Sequence, residues 1–123
     1  MKKLNILLVE DDEFLRTLYT DLLKDLYSLD VAADGEEAYE KIQNSKLDLI
    51  LLDIILPKMS GIDIVEKLKL EHPEVLKKKI VFLTNLDRNE MVQKVTQLGY
   101  SYLIKSDLNP DEFLEQVAIT LKK

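Results

Sequence analysis

Cysteine is absent from this 123-residue chain, and histidine occurs once, as His72. The first absence excludes disulfide scaffolds, thiolate metal sites and thiol nucleophiles, and the second excludes a metal site built on several imidazoles. No stretch approaches the roughly 20 apolar residues that a bilayer span needs. The run Leu4 to Val9 behind Lys2 and Lys3 is interrupted by Asn5 and meets Glu10, Asp11, Asp12 and Glu13. It therefore lacks the apolar length and small-residue cleavage site of a signal peptide. A cytoplasmic chain without membrane association is expected. Positive charge is also short, with 17 Lys and Arg against 23 Asp and Glu for a net charge of −6. That balance argues against direct nucleic-acid binding, which relies on clustered cations. The basic run Lys77 to Lys79 reads as a solvated loop.

What is present is ordinary globular material, 46% hydrophobic and 33% charged. Its length suits one domain over residues 1–123 with a real core. Four apolar runs are nearly continuous: Leu4 to Val9, Leu47 to Leu52, Ile80 to Leu83 and Tyr102 to Ile104. Such short runs predict strands covered on both faces. A weaker run, Leu29, Val31, Ala32 and Ala33, reads as an edge strand. Between them, residues 13–26 place Phe14, Leu15, Leu18, Leu22 and Leu26 on one helical stripe. Residues 110–122 do the same with Phe113, Leu114, Val117, Ala118 and Leu121. Capping signatures open the other helices at Asp34 to Glu37, Ser60 to Asp63 and Asp87 to Glu90, and the last at Asn109 to Glu112; Gly99 supplies a stop. Five β-α repeats with right-handed crossovers make a three-layer α/β sandwich, doubly wound and flavodoxin-like, around a five-stranded parallel sheet. The order 2-1-3-4-5 puts the apolar first strand at the centre and the weak second strand at the edge.

Ligands of such sheets bind beyond the carboxyl ends of the strands, at the switch point between strands 1 and 3. Glu10, Asp11 and Asp12 follow the first strand, Asp53 the third, Thr84 ends the fourth and Lys105 follows the fifth. Taken singly, each has an ordinary reading. Asp12 suits a helix cap and Glu13 a first-turn charge; Asp53 divides evenly between turn residue and functional group; Thr84 suits a strand end and Lys105 a solvated surface. Together, acids and a lysine converging on one crevice call for a common purpose. Carboxylate oxygens at adjacent strand ends make a site for Mg²⁺, which uses few protein ligands. A carboxylate can attack phosphorus to give an aspartyl phosphate, with a lysine and a hydroxyl stabilising the equatorial oxygens.

Over essentially its whole length the sequence resembles response-regulator receiver domains of two-component signalling, the CheY-like superfamily. The resemblance rests on residues 6–13 (ILLVEDDE), 33–38 (ADGEEA), 51–61 (LLDIILPKMSG), 82–84 (FLT) and 99–105 (GYSYLIK). It implies that Asp53 is the phosphoacceptor, served by a sensor histidine kinase. Mg²⁺ would be held by Asp11 and Asp53 directly, by Glu10 largely through water, and by the main-chain carbonyl of Ile55. Lys105 would contact the phosphoryl group, the Thr84 hydroxyl would move toward it, and Tyr102 would be the switch aromatic. The chain would catalyse only its own phosphorylation and dephosphorylation. With no attached output domain expected, the face made by helix 4, strand 5 and helix 5 would be read by an output or phosphotransfer protein, and homodimerisation on phosphorylation stays open.

Three features depart from the family's commonest pattern. Ser106 follows Lys105 where proline is usual, and without proline a cis peptide there would cost about 2.5 to 4 kcal/mol. Asn85 stands where a small residue is common. Ile55 and Leu86 occupy positions that often carry polar groups able to orient a hydrolytic water, which predicts a long-lived phosphorylated state. Three rival readings have less support. A phosphohydrolase would want a second aspartate where Ile55 stands, a non-phosphorylated module would not need the full acidic set, and a flavin or nucleotide binder would want a glycine- or hydroxyl-rich loop after the first strand.

Overall fold

Side chains of a strand alternate between faces, so a sheet with residues such as Leu49 to Leu52 buried on both sides must be covered by helices on both. The computed structural model describes residues 2–85 and 89–123. It comprises β1 (Asn5–Val9), α1 (Glu13–Leu23), β2 (Ser28–Ala32), α2 (Gly35–Lys41), β3 (Leu49–Asp53), α3 (Gly61–Glu71), β4 (Lys79–Thr84), α4 (Asn89–Gln97), β5 (Ser101–Ile104) and α5 (Pro110–Lys122). The strands are parallel, in the order β2-β1-β3-β4-β5. One face packs Ile6, Leu8, Leu49, Leu51, Val81 and Leu83 against Tyr19 and Leu23 of α1 and Phe113 and Val117 of α5. The other packs Leu7, Val9, Ile50, Leu52, Ile80 and Phe82 against Ala38, Ile64, Val65, Leu68 and Val95 from α2, α3 and α4.

The caps form where side-chain oxygens precede the helices. Asp12, Asp34 and Ser60 accept from the backbone N–H groups of Leu15, Glu37 and Asp63, and Asn109 with Glu112 forms a reciprocal capping box. The cap expected at Asp87 lies outside the described residues. Gly99, at φ 90°, ends α4 in the left-handed region that glycine enters without steric penalty.

Several expectations need correction. The helix read over 13–26 ends at Leu23, and its apolar stripe is turned away from where Phe14, Leu18 and Leu26 would place it: these are 74%, 37% and 54% exposed. The inward face is instead Leu15, Tyr19, Leu22 and Leu23. Tyr19 draws the helix round because its ring stacks on Phe113, centroids 4.5 Å apart, an arrangement that adds to the burial of two large aromatic surfaces. β5 is not covered on both faces: Leu103 packs on the layer with α1 and α5, but its first two residues are exposed, and among the described residues β5 is an edge strand paired with β4. Lys77 to Lys79 is not a plain solvated loop. Lys77 closes a 3₁₀ turn from Pro73, and Lys79 opens β4. The Lys79 ammonium donates to the carbonyls of Leu121 at 3.0 Å and Lys123 at 2.7 Å, and Lys78 bonds the carbonyl of Asn44. These cations satisfy carbonyls at the end of α5 and in a loop.

Candidate functional site

By alternation, the face carrying Ile6 and Leu8 continues to Glu10, that carrying Leu49 and Leu51 to Asp53, and that carrying Leu103 to Lys105. Three charged groups thus cap the same core layer, the one that holds Tyr19 and Phe113. Glu10 and Asp53 are 0% and 5% exposed, positions where an unmatched carboxylate is costly. They are matched by one cation: the Lys105 ammonium lies 2.6 Å from Oε1 of Glu10 and 2.7 Å from Oδ2 of Asp53. Oε2 of Glu10 accepts from the backbone N–H of Asp12 at 3.2 Å.

The loop bearing Asp53 is tied on both sides. Ile54 N–H donates to the carbonyl of Leu83 at 3.1 Å, and Gly61 N–H donates to the carbonyl of Ile54 at 2.8 Å. Gly61 lets α3 begin hard against β3, since a Cβ there would lie 2.4 Å from the Asp53 carbonyl oxygen.

Burial pushes the Asp53 carboxyl up to about 7, with Lys105 pulling it the other way and Glu10 adding to the rise. Burial works against the Lys105 ammonium as well, but its bonds to Asp53 and Glu10 prevail and hold it above the ordinary lysine value. Among the described residues that line the cleft, one ammonium faces two buried acids and the exposed Asp11, a local excess of negative charge.

Glu10, Asp11 and Asp53 each offer a carboxylate oxygen within 4.8 Å of the others. Oε1 of Glu10, apart from its ion pair with Lys105, is a buried oxygen with no hydrogen bond among the described residues. Hard oxygen donors, a local excess of negative charge and an under-used buried oxygen fit a divalent cation of the Mg²⁺ type. The residues open into a cleft of about 230 Å³, also lined by Asp12, Leu15, Ile55, Thr84 and Asn85.

The structure thus brings together Glu10, Asp11, Asp53, Thr84 and Lys105, with Ile55 at the mouth, while Asp12 faces its helix as a cap. Tyr102 stands apart on β5, 36% exposed. The Lys105–Ser106 peptide is trans, no cis bond occurring among the described residues, and Leu86 lies outside them. Reasoning from sequence missed Arg16, whose guanidinium reaches back to the acidic turn. The signal was available: Arg16 is the one basic residue between Glu10 and Leu23, a turn beyond Asp12.

A family model for the response regulator receiver domain matches residues 6–118. The chain is 35% identical over 118 residues to a gliding motility regulatory protein of Myxococcus xanthus, covering 94% of this chain and 15% of that one. It is 35% identical over 121 residues to the alkaline phosphatase synthesis transcriptional regulatory protein PhoP of Bacillus subtilis, covering 96% and 48%. A CheY-like receiver domain protein of Methanospirillum hungatei superposes with TM-score 0.84 at 28% identity, over 98% of this chain and 95% of that one. The chain spans about half or less of the length of the curated relatives it matches. Sheet order, cleft and sequence match coincide over the same residues, and the chain belongs to the response regulator receiver domains, signalling domains of two-component systems.

Proposed function

We propose that residues 1–123 act as one receiver unit in which Asp53 takes a phosphoryl group from a sensor histidine kinase. The carrying observation is the cleft itself, where a buried carboxylate at a strand end is held by Lys105 beside two further acids. Asp11, Asp53, Glu10 and the main-chain carbonyl of Ile55 would hold Mg²⁺, which when bound supplies positive charge to the phosphoryl oxygens.

Oδ of Asp53 attacks phosphorus, the bond from phosphorus to the donor's leaving atom breaks, and the donor departs with its electron pair. Lys105, tethered to Asp53 in the resting state, is placed to neutralise an oxygen of the arriving group, and Thr84 lines the same cleft. The phosphorylated carboxylate carries about −1.5 to −2 charges where Glu10 already repels. The resulting shift favours a state of α4, β5 with Tyr102, and α5 that an output or phosphotransfer protein binds better. The unit is a switch that modifies itself rather than an enzyme with turnover.

Intact-mass measurement after incubation with Mg²⁺ and a small acyl phosphate tests this reading. Wild type is expected to gain one phosphoryl group and Asp53→Ala none. An unmodified wild type with its fold intact would overturn it. Followed over time, the adduct is expected to decay slowly, because Ile55, 56% exposed at the mouth, presents no polar group to a hydrolytic water.

The donor's approach has its own signature. Phe14 and Leu18 expose an apolar patch on α1, beside the cleft and rimmed by Asp12, Glu13 and Asp21. Burying a phenylalanine is worth about 1.5 to 3 kcal/mol, so Phe14→Ala is expected to raise the KM for a phosphorylated kinase roughly tenfold. Its phosphorylation by acyl phosphate should stay unchanged, a split that separates docking from chemistry.

A further inference from the structure

Arg16 sits in α1 with its guanidinium directed back at the turn that precedes the helix. One nitrogen, Nη1, donates to the main-chain carbonyl oxygen of Glu10 at 2.9 Å and to that of Asp11 at 3.2 Å. Two consecutive peptide units, those on either side of Asp11, are therefore held by one side chain. The helix in turn holds Arg16: its N–H donates to the carbonyl of Asp12 at 2.8 Å, and Asp12 caps the first turn through Leu15 N–H at 2.9 Å.

The consequence falls on Asp11. Glu10 is fixed by Lys105 and by Asp12 N–H, and Asp53 by Lys105. The Asp11 carboxylate is exposed, and among the described residues no hydrogen bond or ion pair engages it. The backbone at residue 11 sets where its Cβ points, and Arg16 holds the carbonyls on both sides of that residue, alongside the Glu10 carboxylate that accepts from Asp12 N–H.

We propose that Arg16 is a positioning residue for cation binding: by fixing the peptide units around Asp11 it aims that carboxylate into the cleft beside Glu10 and Asp53. Arg16 is itself a cation, and Coulomb repulsion at this range makes its charge unfavourable to an incoming metal. A role through charge and a role through geometry therefore predict opposite effects of removing it, while a change to lysine keeps the charge at a shorter reach without the planar fork. The inference rests on the proposed function, since it concerns the cation that the acidic set would hold.

Calorimetric titration of the full chain with MgCl₂, with no phosphodonor present, tests it on wild type, Arg16→Met and Arg16→Lys, with thermal midpoints measured alongside. Loss of a group that orients a metal ligand typically weakens affinity by about 10- to 100-fold. The expected result is an increase of about tenfold in the Mg²⁺ Kd for both variants at a temperature where both are folded. The lysine variant should be weakened at least as much as the methionine variant, because it keeps the repulsive charge. Tighter binding by Arg16→Met with wild-type affinity in Arg16→Lys would overturn the proposal in favour of charge alone. Wild-type affinity in both variants, even with lowered midpoints, would overturn it in favour of a purely structural arginine. Failure of wild type itself to bind Mg²⁺ would overturn the proposed function, and this inference with it.

Discussion

Lys105→Met is expected to slow phosphoryl transfer to Asp53 by at least about a hundredfold at saturating Mg²⁺, the scale on which losing one preorganised stabiliser of transition-state charge acts. The Lys105 ammonium is 2.7 Å from the Asp53 carboxylate, and its side chain is 4% exposed. Water cannot readily take its place. Methionine keeps much of the apolar stem but leaves Glu10 and Asp53 buried with no cation between them. Two effects should then separate in one set of measurements. The phosphorylation rate, followed by intact mass with acyl phosphate, falls because the phosphoryl oxygens lose a partner. The affinity for Mg²⁺, followed by calorimetry, rises because a competing cation has left the carboxylates. A wild-type rate at saturating Mg²⁺ would show that Lys105 serves only to balance charge in the resting fold.

Asp53→Asn should show the second large effect, in stability against pH. Burial lifts the Asp53 carboxyl from 3.8 to about 7 in the folded chain. Between those values the native state holds a proton that the unfolded chain has released, so this group's contribution to stability falls as pH rises through the window. Asparagine does not titrate and keeps the shape of the protonated acid. With a chelator present, the two melting temperatures should nearly coincide at pH 4 and separate as pH approaches 7. The variant should end higher by at least several degrees, since each kcal/mol of difference corresponds to several degrees in a domain of this size. The opposite trend, with wild type gaining on the variant between pH 4 and 7, would show that attraction to Lys105 outweighs burial. Adding Mg²⁺ should narrow the gap by stabilising the ionised wild type through ligand linkage.

Much of this molecule is readable along the chain because its local signals agree. Leu49 to Leu52 can be buried only inside a covered sheet, and all of β3 is. The caps at Asp12, Asp34, Ser60 and Asn109 are local bonds spanning three residues, so the sequence states them directly. Alternation carries the strand pattern one residue further, to Glu10 and Lys105, and explains why these groups and Asp53 meet. β5 misled because continuity of apolar residues reports hydrophobicity without reporting neighbours, and an edge strand has a partner on one side only.

The rotation of α1 was not legible. Apolar residues at 14, 15, 18, 19, 22 and 23 permit more than one inward stripe, and periodicity cannot choose between them. The choice came from Phe113, ninety-odd positions away, whose ring takes Tyr19 as its stacking partner and leaves Phe14 and Leu18 outside. The same rotation brings Arg16 onto the carbonyls of Glu10 and Asp11.

The sequence by itself determined the α/β repeat, the strand order and the acidic set with its lysine, because strand alternation, helix capping and charge are written in nearest neighbours. Only the tertiary structure decided which side of α1 meets the sheet, how far burial raises Asp53, and what holds the turn at Asp11. Those depend on packing between α1 and α5 and on how completely water is excluded, and both arise from contacts between residues distant in the chain.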